Sequence, residues 1–315
     1  MKALNRILNK IIYIIIIVFV IGIIYDTYKN DLFDDIDKSA ENAIVDNSIT
    51  DNDISNSIII EDGKLNIIYF DVGQADSTLI VCDGNTVLID AGNTYDGSKI
   101  VKGIKDLGIK KIDYVIGTHV HEDHLGGMSY VIDNFDIGNY YMPYCSSNEN
   151  SFYSRLLLSL SNKNLPINKI EIGEKIALGN GILEVMGVRN DEPENLNETS
   201  ITLELTYGKL KYLFMADAEI VNEEERTWND VDVLKVGHHG SISSTSNEFL
   251  SQVLPEVSII SVGKDNDYNL PEEDVLKRLY EMGSQIYRTD QDGTIEIISD
   301  GEKNEILKID ISFDG

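Results

Sequence analysis

The chain has 315 residues, and its hydrophobic share of 42% is enough for a substantial core. Against 26 lysines and arginines stand 54 aspartates and glutamates, a formal net charge of -28. A surface of that sign repels nucleic-acid phosphates and anionic headgroups, which excludes a protein that holds polyanions by bulk charge alone.

Residues 1–10 carry Lys2, Arg6 and Lys10 and no acid. Residues 11–25 (IIYIIIIVFVIGIIY) are uncharged and strongly apolar, and Leu4, Ile7 and Leu8 extend the run towards the roughly 20 residues a spanning helix needs. Basic residues ahead of such a run predict a cytoplasmic N-terminus, with the remainder outside the cell. Residues 1–25 are therefore read as a transmembrane anchor or a signal peptide. No small-x-small cleavage pattern follows residue 25, which favours the anchor and a single-pass protein of the cell membrane. Residues 26–63 shift to Asp, Asn, Ser and isolated Ile, with 11 acids against Lys29 and Lys38. That composition reads as an acidic, disordered linker, and residues 54–61 within it have at most the make-up of a weak strand.

From residue 64 to 315 the pattern is globular. Strands are expected over 65–72, 77–82 and 86–89, the last two joined by Asp83-Gly84-Asn85 as a hairpin turn. A helix over 98–107 and a strand over 112–117 follow, then a helix after Gly126-Gly127. Next come a strand over 137–142, a helix over 152–161 and a β-rich stretch over 170–188. Strands over 201–207, 212–215 and 231–236 enclose a helix near 219–228. Two further strand-helix units and a hairpin near 294–311 close the domain. Two β-rich halves with interspersed helices imply an α/β protein with two sheets packed face to face and helices outside.

All five histidines fall in two places: His119, His121 and His124 in THVHEDHLGG (residues 118–127), and the adjacent pair His238 and His239. The first cluster lies in a strand-to-helix loop. In extended backbone His119 and His121 point the same way, whereas Asp123 and His124 turn with the entering helix towards a neighbouring point. Two imidazoles on one point and a carboxylate with an imidazole on the next suit a pair of divalent cations. Cys82 and Cys145 have no metal-type spacing.

Further motifs stand around these: FDVGQADS (70–77), LIDAG (88–92), LFMAD (213–217), LKVGHHGS (234–241), and Ser261-Val262-Gly263 with Tyr268 and Pro271. In their order and spacing the chain resembles the metallo-β-lactamase superfamily, and within it the extracellular hydrolase domain of ComEC-like competence proteins. The resemblance implies a four-layer αββα sandwich with two divalent metal ions, zinc or manganese, at one edge of the sheets. It implies His119 and His121 on the first ion, Asp123 and His124 on the second, Asp217 bridging both, and one of His238 and His239 closing the second. Asp90 would orient a ligating imidazole. Asp123, Asp90 and His239 are the candidate catalytic residues, and the non-ligating member of the histidine pair and Lys264 are candidates to hold an anionic group or protonate a leaving oxygen.

The chain departs from that pattern in two places. No histidine stands between residues 124 and 238, where many members carry a third imidazole for the first ion, and Asn197-Glu198-Thr199-Ser200 occupies that region. Fewer imidazoles and more oxygen donors shift preference from zinc towards manganese. Asn269-Leu270-Pro271 also stands where the ComEC-like branch reads Gly-His-Pro. The expected activity is hydrolysis of a phosphodiester or another small anionic substrate, with single-stranded DNA as a possible partner. An ester or lactone hydrolase on the same site, or a degenerate binding or sensor module, are the alternatives.

Overall fold

The computed structural model describes residues 54, 55, 57–143, 150–191 and 193–309. Among these residues no helix is long and apolar enough to cross a membrane, and the expected anchor, residues 1–25, lies outside them.

The alternation of apolar residues builds two sheets. The first has nine strands in the order β1-β16-β15-β2-β3-β4-β5-β6-β7, numbered along the chain. They are β1 (Ile54–Ser55), β2 (Leu65–Tyr69), β3 (Thr78–Cys82), β4 (Asn85–Ile89), β5 (Lys111–Ile116), β6 (Asp136–Tyr141), β7 (Ile167–Asn168), β15 (Thr294–Ser299) and β16 (Asn304–Ile309). The second sheet has seven: β8 (Lys175–Leu178), β9 (Gly181–Gly187), β10 (Thr202–Tyr207), β11 (Leu210–Phe214), β12 (Val233–Lys235), β13 (Val257–Ile260) and β14 (Gln285–Arg288), in the order β14-β13-β12-β11-β10-β9-β8.

Because side chains alternate along each strand, one set meets between the sheets and the other faces outward. Leu65, Ile67, Tyr69, Ile80, Leu203, Leu205, Tyr212 and Phe214 form the inner core. Outside the first sheet Ile68, Leu79 and Leu88 pack with Ile100 and Ile104 of helix α1 (Gly97–Asp106) and with Val131 and Ile132 beyond it. Outside the second sheet Leu213 and Leu234 pack with Phe249 and Leu250, and with Val275 and Leu279. The layers are therefore helix, sheet, sheet, helix.

One feature differs from the sequence expectation and one adds to it. The folded unit reaches back to Ile54, within the stretch read as linker: β1 pairs in parallel with β16, and Ile58 and Ile60 pack against the outer core of the first sheet. The last hairpin, β15–β16, expected only as the element that closes the domain, belongs to the first sheet, where β15 pairs with β2.

Candidate metal centre

The parallel strands β4 and β5 end side by side, and both candidate motifs follow those ends. Asp90 comes straight after β4 in a left-handed conformation (φ 58°), as does Ala216 (φ 49°) before Asp217. His238 and His239 are left-handed too, at φ 47° and 53°. Non-glycine residues held there store strain that the surrounding structure must offset, and four such positions lie at or beside candidate ligands. After β5 the chain runs through His119 and His121 into helix α2 (Glu122–Leu125), then α3 (Met128–Asn134). Gly126 and Gly127 allow this: a Cβ would meet Thr94 N at 2.3 Å in the first case and Ala91 O at 2.1 Å in the second. The loop is thereby clamped against the loop that carries Asp90.

Two clusters result. In one, ligand atoms of Asp123, His124, Asp217 and His239 lie within 4.8 Å of one another; in the other, those of His119, His121 and Asp217 do. Asp217 Oδ1 faces the first group, 3.2 Å from His124 Nε2 and 3.6 Å from His239 Nε2. Its Oδ2 faces the second, 3.7 Å from His119 Nε2. His119 Nε2 and His121 Nδ1 converge at 3.1 Å.

Three of the imidazoles are aimed by the bond at their other nitrogen. His124 Nδ1 bonds Asp90 Oδ2 at 2.8 Å, and Asp90 also accepts from Thr118 N and Thr118 Oγ1. His119 Nδ1 lies 3.2 Å from Thr118 Oγ1, and His239 Nδ1 donates to Ser261 O at 2.9 Å. The Nε2 atoms of all three rings are thus turned inward. Such outer partners fix the tautomer of a metal-binding histidine.

The structure separates the adjacent histidines. His239 is buried, with Nε2 3.2 Å from Asp123 Oδ2. His238 is one-quarter exposed; its Nε2 lies 3.7 Å from Asp217 Oδ2, and its Nδ1 meets Glu219 Oε1 at 3.2 Å and Ser243 Oγ at 3.1 Å. Asn197 Nδ2 donates to Glu219 and lies 3.4 Å from His238 Nε2. The asparagine region that stands in place of a third imidazole therefore reaches the His238–Glu219 pair. Lys264 is exposed, and among the described residues no hydrogen bond or ion pair joins it to the clusters. Leu270 packs into the outer core of the second sheet.

Sequence reasoning gave no role to three residues that the site uses. Glu219 holds His238. Asp76 and Lys235, both in quoted motifs, form a buried ion pair of 2.8 Å that ties the two sheets together behind His239, whose Nδ1 is 3.5 Å from Asp76. A lysine in the middle of an apolar strand, VLKV, was the available signal for that pair.

Charges follow from burial and crowding. Burial, with the nearby His124, pushes His119 well below the ordinary histidine range, and burial also lowers His121. Burial opposes the charge on His124 and His239, yet the surrounding carboxylates outweigh it. Asp217, Asp123 and Asp90 hold His124 well above its usual value, and Asp217, Asp76 and Asp123 raise His239 to about 9. Burial likewise works against Asp123 and Asp217, but the histidines beside them hold both below the usual carboxylate range. Asp90 is shifted upward by burial.

The donor set fits divalent cations. His124 Nε2 and Asp217 Oδ1 are buried, lie 3.2 Å apart and have no partner beyond each other, so with the ring neutral their lone pairs converge on one point. Buried polar atoms without partners are costly, and a shared cation would satisfy both.

The Metallo-beta-lactamase superfamily profile matches residues 70–264. The chain belongs to this superfamily. Among curated proteins it is 29% identical over 257 residues to ComE operon protein 3 of Bacillus subtilis, covering 75% of this chain and 33% of that protein. It is 28% identical over 261 residues to Recombination protein 2 of Haemophilus influenzae, covering 77% and 30%. These matches, with a weaker one to Competence protein ComA of Neisseria gonorrhoeae, bear out the ComEC-like resemblance. The chain spans about a third of the length of these relatives. Solved structures share the fold. The metallo-beta-lactamase fold protein YhfI of Bacillus subtilis superposes with a TM-score of 0.51 at 10% identity, covering 74% of this chain and 99% of that one. CmlA, a diiron beta-hydroxylase of Streptomyces venezuelae, does so at 0.50 and 13%, covering 73% and 53%.

Proposed function

We propose that the chain is a metal-dependent phosphodiesterase, tethered to the cell membrane through residues 1–25 with its hydrolase domain on the extracytoplasmic side. The observation that carries the enzymatic part is the pair of clusters sharing Asp217. In this reading His119, His121 and Asp217 hold one divalent ion, and Asp123, His124, Asp217 and His239 hold the other, the ions being manganese or zinc. Two such ions supply a water nucleophile of depressed pKa and neutralise charge that develops on phosphorus. The chain's own residues provide the rest. Asp90 and Ser261 O lock His124 and His239 in the ligating tautomer, and Thr118 does the same for His119. Glu219 and Ser243 fix the ring of His238, the more exposed imidazole at the edge of the site, where a leaving oxygen or an anionic group of the substrate would lie.

The relatives' names, competence and recombination proteins, support DNA as one substrate to try. The set His119, His121 and Asp217 has two imidazoles and no third, and that supports manganese over zinc. The test is the full-length chain loaded with Mn²⁺ or Zn²⁺, assayed on bis-nitrophenyl phosphate and on single-stranded DNA. Metal-dependent turnover that falls by a factor of about 10³ or more in Asp217→Asn and His121→Ala is expected, since both ions need Asp217. Turnover that persists without metal or in these variants would overturn the reading, and turnover of nitrophenyl esters alone would transfer it to an ester hydrolase.

A further inference from the structure

The candidate metal centre is split between the two sheets. His119, His121, Asp123 and His124 follow β5 of the first sheet, whereas Asp217, His238 and His239 follow β11 and β12 of the second. Any ion shared by both halves therefore depends on how closely the sheet edges are held at this point. The motif FDVGQADS (70–77), which supplies no ligand to the proposed ions, joins β2 to β3 in the first half, and Lys235 of LKVGHHGS lies in the second.

Lys235 is the only buried lysine or arginine among the described residues. Its strand explains where it points: Val233 belongs to the core between the sheets and Leu234 to the outer core, so alternation turns Lys235 inward. There its Nζ meets Asp76 Oδ2 at 2.8 Å. Among the described residues this is the one lysine–carboxylate pair with both members buried, and it crosses from sheet to sheet. Asp76 directs its other polar groups at the metal centre. Its N–H donates to Asp123 O at 3.1 Å, and its C=O accepts from Gly92 N, two residues beyond Asp90. Its Oδ1 has no hydrogen-bond partner and stands 3.5 Å from His239 Nδ1. The same loop makes a second crossing: Gln74 Oε1 accepts from the N–H of Gly263 at 3.1 Å, two residues after the Ser261 carbonyl that aims His239. A Cβ on Gly263 would meet Gln74 N at 2.5 Å, so the fit is close.

We infer that Asp76 and Lys235 are positioning residues: their ion pair sets the gap between the two halves of the metal centre, and so the placing of Asp123 and His239 around the second ion. The inference rests on the metal-dependent reading above. Stability alone is a poor reason for such a pair. Desolvating two charges offsets most of their attraction, and replacing a buried ion pair by uncharged groups of similar volume is often neutral or stabilising. What apolar side chains do not supply is a short, directional contact between the sheets at one fixed point. The first ion depends on that contact less, since Thr118 aims His119 through a bond that involves neither Asp76 nor Lys235.

The test is the double variant Asp76→Asn/Lys235→Met in the full-length chain, beside the two single variants. Each single change leaves one buried charge uncompensated and is expected to unfold at lower urea. The double variant removes both charges and is expected to unfold at the wild-type urea concentration or above it. Calorimetric titration with Mn²⁺ is expected to give two binding steps in the wild-type chain. The step that His239→Ala abolishes should weaken about 10- to 100-fold in the double variant, as loss of a ligand's outer partner does, with the other step changing little. At two equivalents of Mn²⁺, paramagnetic resonance should show a coupled ion pair in the wild-type chain and an isolated ion in the double variant, a change that lost stability would not produce. A double variant that unfolds as early as the single ones would make the pair a plain support of the fold. One that keeps both steps at wild-type affinity, or weakens both alike, would show that the pair does not place Asp123 and His239. Either result overturns the inference and leaves the metal-dependent reading standing, whereas a wild-type chain that binds no Mn²⁺ would overturn both.

Discussion

Asp90 accepts from Thr118 through both carboxylate oxygens and from His124 through one, so a single buried acid sets the tautomer of one candidate ligand and the backbone leading to two others. An amide in its place keeps the Thr118 N–H bond but offers N–H where His124 Nδ1 needs an acceptor. Asp90→Asn is therefore expected to weaken the ion held by Asp123, His124, Asp217 and His239 by about 10- to 100-fold, with little effect on overall folding. Calorimetric titration with Mn²⁺ checks this, and an unchanged second binding step would refute the orienting role. The charges in the same cluster lead to a pH prediction. The carboxylates around them raise both His124 and His239, the latter to about 9, so at pH 7 the His239 ring carries a proton in the metal-free chain. A ring must lose its proton to ligate, so metal uptake at pH 7 expels the His239 proton and tightens as pH rises towards 9. Titrations in buffers of different ionisation heat should give different observed enthalpies. In the metal-free chain these raised values contribute stability that is full below the unfolded histidine value near 6.5 and is lost as pH climbs through about 9.

The strand-to-helix turn from β5 into α2 and α3 was legible because its signals are local: an apolar run, a polar loop and a glycine pair within about fifteen residues. The hairpin β15–β16 was legible as a hairpin and not as part of the first sheet, since its pairing with β2 joins residues more than 200 apart that no local pattern links. The same holds for the Asp76–Lys235 pair and for Glu219, whose roles exist only once the sheets are packed. The segment before β2 is a further case. Its scattered isoleucines read as linker, yet Ile58 and Ile60 close the outer face of the first sheet, and Ile59 donates its N–H to Glu296 of β15. Burial, with Glu61 and Glu305 nearby, raises the Glu296 carboxyl to about 7. A raised carboxyl gives stability that is full below its unfolded value near 4.5 and is lost as pH rises through about 7. Glu296→Gln keeps an acceptor for Ile59 and removes the titration. It should leave stability at pH 4.5 nearly unchanged and raise it at pH 8 by about 2 kcal/mol, read from urea unfolding at both pH values. Equal effects at the two pH values would contradict this.

The molecule as a whole sets its charge against its proposed chemistry. A net charge of -28 repels a polyanion over roughly the Debye length, about 10 Å at 0.1 M salt and about 30 Å at 0.01 M. Most nucleic-acid-binding proteins gain affinity by releasing counterions and lose it as salt rises. Here the approach of a DNA strand is opposed by the surface and favoured only at the metal centre, so screening should help more than it hinders. The apparent KM for single-stranded DNA is expected to fall several-fold as monovalent salt rises from about 0.01 to 0.1 M at fixed Mn²⁺. Bis-nitrophenyl phosphate carries one charge and is felt over the same distance with far less total repulsion, so its KM should hardly move. Steady-state kinetics on the two substrates across that range separate the alternatives. A DNA KM that rises with salt would mean that the chain engages DNA through a basic surface, and among the described residues the structure presents none of the required extent. A flat response for both would point to a small substrate as the one this surface was built to admit.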